Sequence, residues 1–93
     1  MTNFEWSEQK NLQNYHKHHV WFEEAHTIWG NPHSVEFFDP CHSKHEDRFI
    51  RNGHTSRRLL LVIFCEKLDR ALIRIISARA VTLKERGQYE EGI

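Results

Sequence analysis

The chain has 93 residues, 39% of them hydrophobic, with two cysteines and thirteen Lys+Arg balanced by thirteen Asp+Glu. That length supports one domain around one modest core, and no apolar run approaches the roughly 20 residues that span a bilayer. The opening MTNFEWSEQK lacks the basic start and apolar stretch of a secretory signal, and two cysteines are too few to staple a secreted mini-protein, so the composition points to a cytoplasmic protein with reduced thiols.

In chain order, NFEW (3–6) reads as a short strand. Ser7 is a good N-cap with Glu8 in the favoured first turn. The helix it opens puts Leu12, Tyr15 and His19 near one face. A second helix begins at about Phe22, with Ala25, Ile28 and Trp29 at helical spacing, and the GNP stretch at 30–32 ends it. Strand signals follow. SVEFF leads into a turn at DPCHS, and DRFIR leads into Asn52-Gly53, a strong hairpin-turn signal. LLLVIFC (59–65) is the continuous apolar run of a central strand covered on both faces. EKLDR turns the chain into ALIRIIS. TLKE (82–85) is a capping box for a last helix reaching about Glu91, weakened at Gly87 by about 1 kcal/mol relative to Ala. The order is a short strand, two helices, an antiparallel sheet of about four strands and a closing helix, an α+β fold in a single domain over 1–93.

The balanced charge hides an asymmetry. Residues 1–47 carry three Lys+Arg against eight Asp+Glu, a net −5; residues 48–93 carry ten against five, a net +5. A positive half suits a polyanion such as RNA; the plain alternative is that the acidic half folds back onto it. Within ALIRIISAR (71–79), strand alternation sets Leu72, Arg74 and Ile76 on one face and Ile73, Ile75 and Ser77 on the other. An unpaired guanidinium in a core is costly. Arg74 and Arg79 therefore either pair with carboxylates such as Glu46, Asp47 or Glu85, or face a cleft that takes an anion. Antiparallel pairing of 58–65 with 71–78 brings Arg58 close to the Ser77–Arg79 end, and with Arg57 beside it this cluster makes either a phosphate site or an ion-pair network with Glu46, Asp47 or Glu85. Two histidine clusters, HKHH (16–19) and HSKH (42–45), add groups that titrate near neutral pH. Cys41, His42 and His45 are the nearest approach to a metal set, but no CxxC pair accompanies them. No metal or cofactor is expected, and no P-loop, dinucleotide loop, HExxH or nucleophile elbow is present.

These pieces, taken together, resemble the BrnT family of type II toxins. The matching stretches are FEWSEQKNLQNYHKH, VWFEEAHTIWGNP, Asp39 with His42, Ser43, Glu46 and Arg48, then Gly53, RRLLLVIF, IRIISARAVT and KERGQYE. The resemblance implies a RelE/ParE-like ribonuclease fold. It also implies a metal-independent endoribonuclease that cuts mRNA and stops translation. Such toxins are held inactive by a BrnA-like antitoxin with a ribbon-helix-helix part, through which alone the complex reaches operator DNA. Carried onto this chain, the resemblance assigns Lys17, His18, Arg58 and Arg79 to catalysis. It assigns Arg48, Arg57 and Arg74 to RNA binding, with Glu46 and His42 in support. In the family a glycine usually follows the Lys-His pair and allows a left-handed helix end; here His19 stands there, and His adopts that conformation less readily. Trp21 stands where a small helix-capping residue is common. The alternative is a non-cleaving, antitoxin-binding co-repressor on the same fold.

Overall fold

The computed structural model describes residues 2–91, the side chain of His42 excepted. Helix α1 (Glu8–His18) starts where the Ser7 hydroxyl accepts from the Lys10 N–H at 3.2 Å. It ends at His19, whose φ of 58° and ψ of 35° are left-handed, with its N–H donating to the Tyr15 carbonyl at 2.8 Å. The histidine thus takes up the backbone turn that glycine would make, at a cost on the order of 1 kcal/mol. The chain then forms the short α2 (Phe22–Ala25) and a 3₁₀ turn over His26–Gly30.

The face that α1 buries is polar, not the expected Leu12 face. Leu12 is 50% exposed, whereas Asn11 and Asn14 are buried. Asn11 Oδ1 accepts from the Phe22 N–H at 2.8 Å, and its Nδ2 donates to Glu23 Oε1 at 2.8 Å. Asn14 Nδ2 donates to the carbonyls of Val20 (2.8 Å) and Ala78 (2.9 Å), while its Oδ1 accepts from the Ala78 N–H at 3.1 Å.

Strands β1 (Asn3–Glu5), β2 (Val35–Phe38), β3 (Phe49–His54), β4 (Leu59–Lys67) and β5 (Leu72–Ala80) form one sheet in the order β1-β5-β4-β3-β2. β1 runs parallel to β5 and the other pairs are antiparallel. The expected α+β order holds, with the N-terminal strand making the sheet five-stranded and mixed. Val20, Phe22, Ala25 and Ile28 pack against Leu60, Val62, Phe64, Ile73, Ile75 and Ala78 to form the core. Helix α3 (Leu83–Glu91) lies over the opposite face, where Tyr89 is buried and its hydroxyl donates to the His33 carbonyl at 2.7 Å. The TLKE capping box forms: the Thr82 N–H donates to Glu85 Oε1 at 2.9 Å and the Glu85 N–H to Thr82 Oγ1 at 3.1 Å. No helix among the described residues is long and apolar enough to cross a membrane.

Two local readings change. Asn52-Gly53 is not a turn; both residues lie inside β3, and Gly53 has no positive φ. Its glycine is required by packing, since a Cβ there would stand 2.9 Å from Ser34 Cβ and 3.0 Å from Ile28 Cβ. The hairpin turns at 55–58 instead, where Thr55 Oγ1 accepts from the N–H groups of Arg57 (3.0 Å) and Arg58 (3.1 Å). The second change is a bulge. Ile63 pairs with Ser77 but Phe64 pairs with Ile75, leaving Ile76 as an extra residue in β5. Simple alternation therefore breaks there. Arg74 and Arg79, opposite Cys65 and Leu61, project from the same sheet face.

Replacing Asn14 with Ala leaves three buried backbone groups unpaired. Denaturant unfolding should show a loss of about 3 kcal/mol, against less than about 0.5 kcal/mol for Leu12→Ala. His19→Gly should gain about 1 kcal/mol in the same experiment; a neutral or destabilising result would mean that the edge-on contact of the His19 ring with Tyr15, centroids 5.6 Å apart, outweighs the relieved backbone.

Candidate active site

Because Leu60 pairs with Ala80, the start of β4 and the end of β5 meet at one end of the sheet, and Arg58 and Arg79 both lie there. Arg79 projects on the α3 side. Its Nη1 and Nη2 each donate to one oxygen of Glu85 at 2.8 Å, and Nη1 also reaches the Ala80 carbonyl at 3.2 Å. Glu85 is held from two directions, by Arg79 and by the capping box. Hydrogen bonding from Arg79 is the main reason its carboxyl is driven down to about 2. The Nε–H of Arg79 and its second Nη2–H carry no partner among the described residues. They are the side-on edge of the guanidinium fork. The side chain is 35% exposed and also lines a groove of ≈ 480 Å³ between α3 and the sheet, floored by Ile50, Leu61 and Ile63.

Arg58 has a different setting. Its Nε donates to Glu24 Oε2 at 3.0 Å, and its Nη2 donates to Glu24 Oε1 at 2.7 Å and to the His19 carbonyl at 2.8 Å. Thr55 Oγ1 adds a bond to Glu24 Oε2 at 3.0 Å. Hydrogen bonding to Arg58 is the chief cause of the lowered Glu24 pKa. One guanidinium thus ties the β3–β4 turn, α2 and the left-handed end of α1 together. With Arg51–Glu36 (2.7 Å) and Arg74–Glu5 (3.1 Å), this pair also resolves the charge asymmetry, because the acidic half folds onto the basic one.

Lys17 and His18 occupy the last turn of α1. They border a hollow of ≈ 230 Å³ shared with Lys10, Asn14, Ile76 and Ser77. Burial, then the charges of Lys17 and Arg79, hold the His18 imidazole below its ordinary pKa. Two cations are thus near enough to His18 to disfavour its charged form. Ser77 and Arg79 project from one face of β5, about 7 Å apart, so the arginine stands next along the strand from the hollow.

Lys17 and His18 thus border one hollow with Ser77, Arg79 stands close enough for its charge to act on His18, and Arg58 braces the end of α1 through the His19 carbonyl. Arg57 is at the same end, 73% exposed and 4.0 Å from Glu24. Arg74 is not. It sits five residues down β5, about 16 Å from Arg79, paired with Glu5. Arg48 is likewise remote, 3.9 Å from Glu46 near the far end of β4. Its Nε is buried without a partner among the described residues. Glu46 lies against the Cys65 thiol, which burial first and then Glu46 raise to about 11. The side chain of His42 falls outside the described residues. Sequence reasoning missed Asn14, Glu24 and Ser77. Only the spacing of Asn11 and Asn14 along one helix face carried a signal.

Glu85 gives a sign-definite pH dependence. Its folded pKa is depressed, so its stabilising contribution is complete above the ordinary carboxylate range and is lost as pH falls from about 4.5 through about 2. Thermal melts of the wild type should fall across that window. Glu85→Gln should start lower and lose less over the same range; parallel losses would show that other carboxylates govern acid unfolding.

Comparison with curated proteins returned no match. A family model described as the ribonuclease toxin BrnT of type II toxin-antitoxin systems matches residues 6–85. That span runs from just before α1 through the capping box and takes in Lys17, His18, Arg58 and Arg79. On that match, the chain belongs to the BrnT family of ribonuclease toxins of type II toxin-antitoxin systems.

Proposed function

We propose that this chain is a metal-independent endoribonuclease acting in the cytoplasm, cutting mRNA at the end of the sheet where Lys17, His18 and Arg79 converge and thereby stopping translation. The ribose 2′-oxygen attacks the adjacent phosphorus, and neutral His18 accepts the 2′-hydroxyl proton. A cyclic phosphate forms, the bond to the 5′-oxygen breaks, and the departing oxygen takes a proton from Lys17. Arg79 meets the charge on the phosphorane through the side-on N–H groups that Glu85 leaves free. Arg58 acts by positioning the α1 end; Arg57 supplies charge for the flanking backbone. In this reading Arg48 and Arg74 contact RNA only beyond the scissile region, and Glu46 and His42 support Arg48. The observation that carries the proposal is the placing of Lys17 and His18 around one hollow with Ser77, two residues along β5 from Arg79.

The partner we propose is a BrnA-like ribbon-helix-helix antitoxin that covers this end of the molecule, operator DNA being bound only through it. Covering Arg79 both neutralises charge and excludes RNA.

With purified protein and a long RNA, cleavage should persist in excess chelator. Arg79→Ala should lower the rate by about 10²–10³. The rate should rise with pH and level off below about 6.5, as expected for a base whose pKa is lowered, and His18→Gln should remove that limb. RNA bound but never cut by the wild type would establish the non-cleaving co-repressor instead. Undiminished cleavage by soluble Arg79→Ala would overturn the catalytic assignment.

A further inference from the structure

The N-terminus of α2 carries a feature that its own fold does not require. Trp21 occupies the N-cap position, where Ser, Thr, Asp or Asn would satisfy a free N–H, and it makes no side-chain cap bond. Its indole stays 40% exposed. One ring face lies on Tyr15, with centroids 4.1 Å apart and an interplanar angle of 11°. The His19 ring meets Tyr15 edge-on at 5.6 Å. Two parallel rings backed by a third make a rigid stack with one open end.

The surroundings say what fits that open end. A shallow cavity of ≈ 500 Å³ is bordered by Trp21, Glu23, Glu24 and Arg57. Both carboxylates are occupied: Glu24 by Arg58 and Thr55, Glu23 by Asn11. Arg57 has only a 4.0 Å approach to Glu24 and is 73% exposed. His16, Lys17 and His18 form the last turn of α1, which follows Tyr15. An open aromatic face with a largely exposed guanidinium beside it matches an unpaired nucleotide, whose base stacks and whose phosphate seeks charge. Tyr15 and His18 are three residues apart on α1, neighbours on its surface.

We propose that Trp21, backed by Tyr15, is a stacking platform for an unpaired RNA base flanking the scissile phosphate, with Arg57 taking that nucleotide's phosphate. The inference rests on the ribonuclease reading for its position, and it assigns this chain single-stranded RNA as the form it cuts.

The test uses a 2′-fluoro RNA oligomer, which lacks the attacking hydroxyl, so binding is read without cleavage. Trp21→Ala should weaken binding by about 5- to 150-fold, as expected for one lost stacked base, and Trp21→Phe should recover most of the loss. An oligomer of the same length with abasic residues should lose a similar factor with the wild type and little more with Trp21→Ala. That pairing of ligand and protein changes separates stacking from a structural effect of the substitution. Equal binding by Trp21→Ala, an abasic penalty of the same size in both proteins, or no binding by the wild type would each overturn the platform. A parallel digest of ordinary RNA keeps the two readings apart. Stacking without cleavage sinks the nuclease and leaves the platform, whereas cleavage with Trp21→Ala binding unchanged sinks the platform alone.

Discussion

The carboxamide of Asn14 stands where a sheet runs out of strands. β1 pairs with β5 only over Leu72–Arg74, and beyond that the edge of β5 would leave Ala78 with an N–H and a carbonyl facing a helix. A buried unpaired backbone group costs about 1–3 kcal/mol. The amide supplies one donor and one acceptor at the spacing of a missing strand residue, and its second N–H holds the Val20 carbonyl. One side chain therefore closes the sheet edge, docks α1 and fixes the link to α2. Because His18 lies four residues along α1 from Asn14, one turn away on the same face, this clasp sets the imidazole against β5.

The arginines work on that frame in two ways. Arg58 is spent on structure: its donors go to Glu24 and to the carbonyl of a left-handed residue, so a strained helix end is held by a charge-assisted fork. Arg79 keeps half of its fork. A partly exposed ion pair contributes little to stability, about 0–1 kcal/mol, so the value of Glu85 to Arg79 lies in orientation. It fixes the plane of the guanidinium and leaves the side-on edge open. Pairing with a carboxylate and facing an anion site, set against each other as alternatives for this arginine, are compatible in one residue.

What could be read from the sequence was whatever is decided within a few residues. Ser7 and the Thr82–Glu85 capping box are local hydrogen-bond patterns, and the run at 59–65 is buried, Ile63 only partly, because both faces of the central strand are covered. What could not be read depends on contacts far along the chain. Asn52-Gly53 carries a turn signal, but Ser34 and Ile28 press on Gly53 and keep it in a strand. The bulge at Ile76 has no residue signature, yet it decides which face Arg79 takes. A helix face is ordinarily identified by apolar spacing; here it is carried by Asn11 and Asn14, whose partners lie as far away as Ala78. For the same reason, the resemblance assigned Arg48 and Arg74 to the RNA site along with Arg57, while the sheet sets them near its other end from Arg79.

The central claim is that Asn14 holds His18 in the partly buried, cation-flanked position seen beside β5. Nuclear magnetic resonance titration of the His18 ring, in the wild type and in Asn14→Ala under conditions where both are folded, tests it most directly. The wild-type ring should titrate below the ordinary value of about 6.5 and move up toward that value once the clasp is gone. An ordinary pKa in the wild type, or a lowered one that Asn14→Ala leaves unmoved, would contradict it.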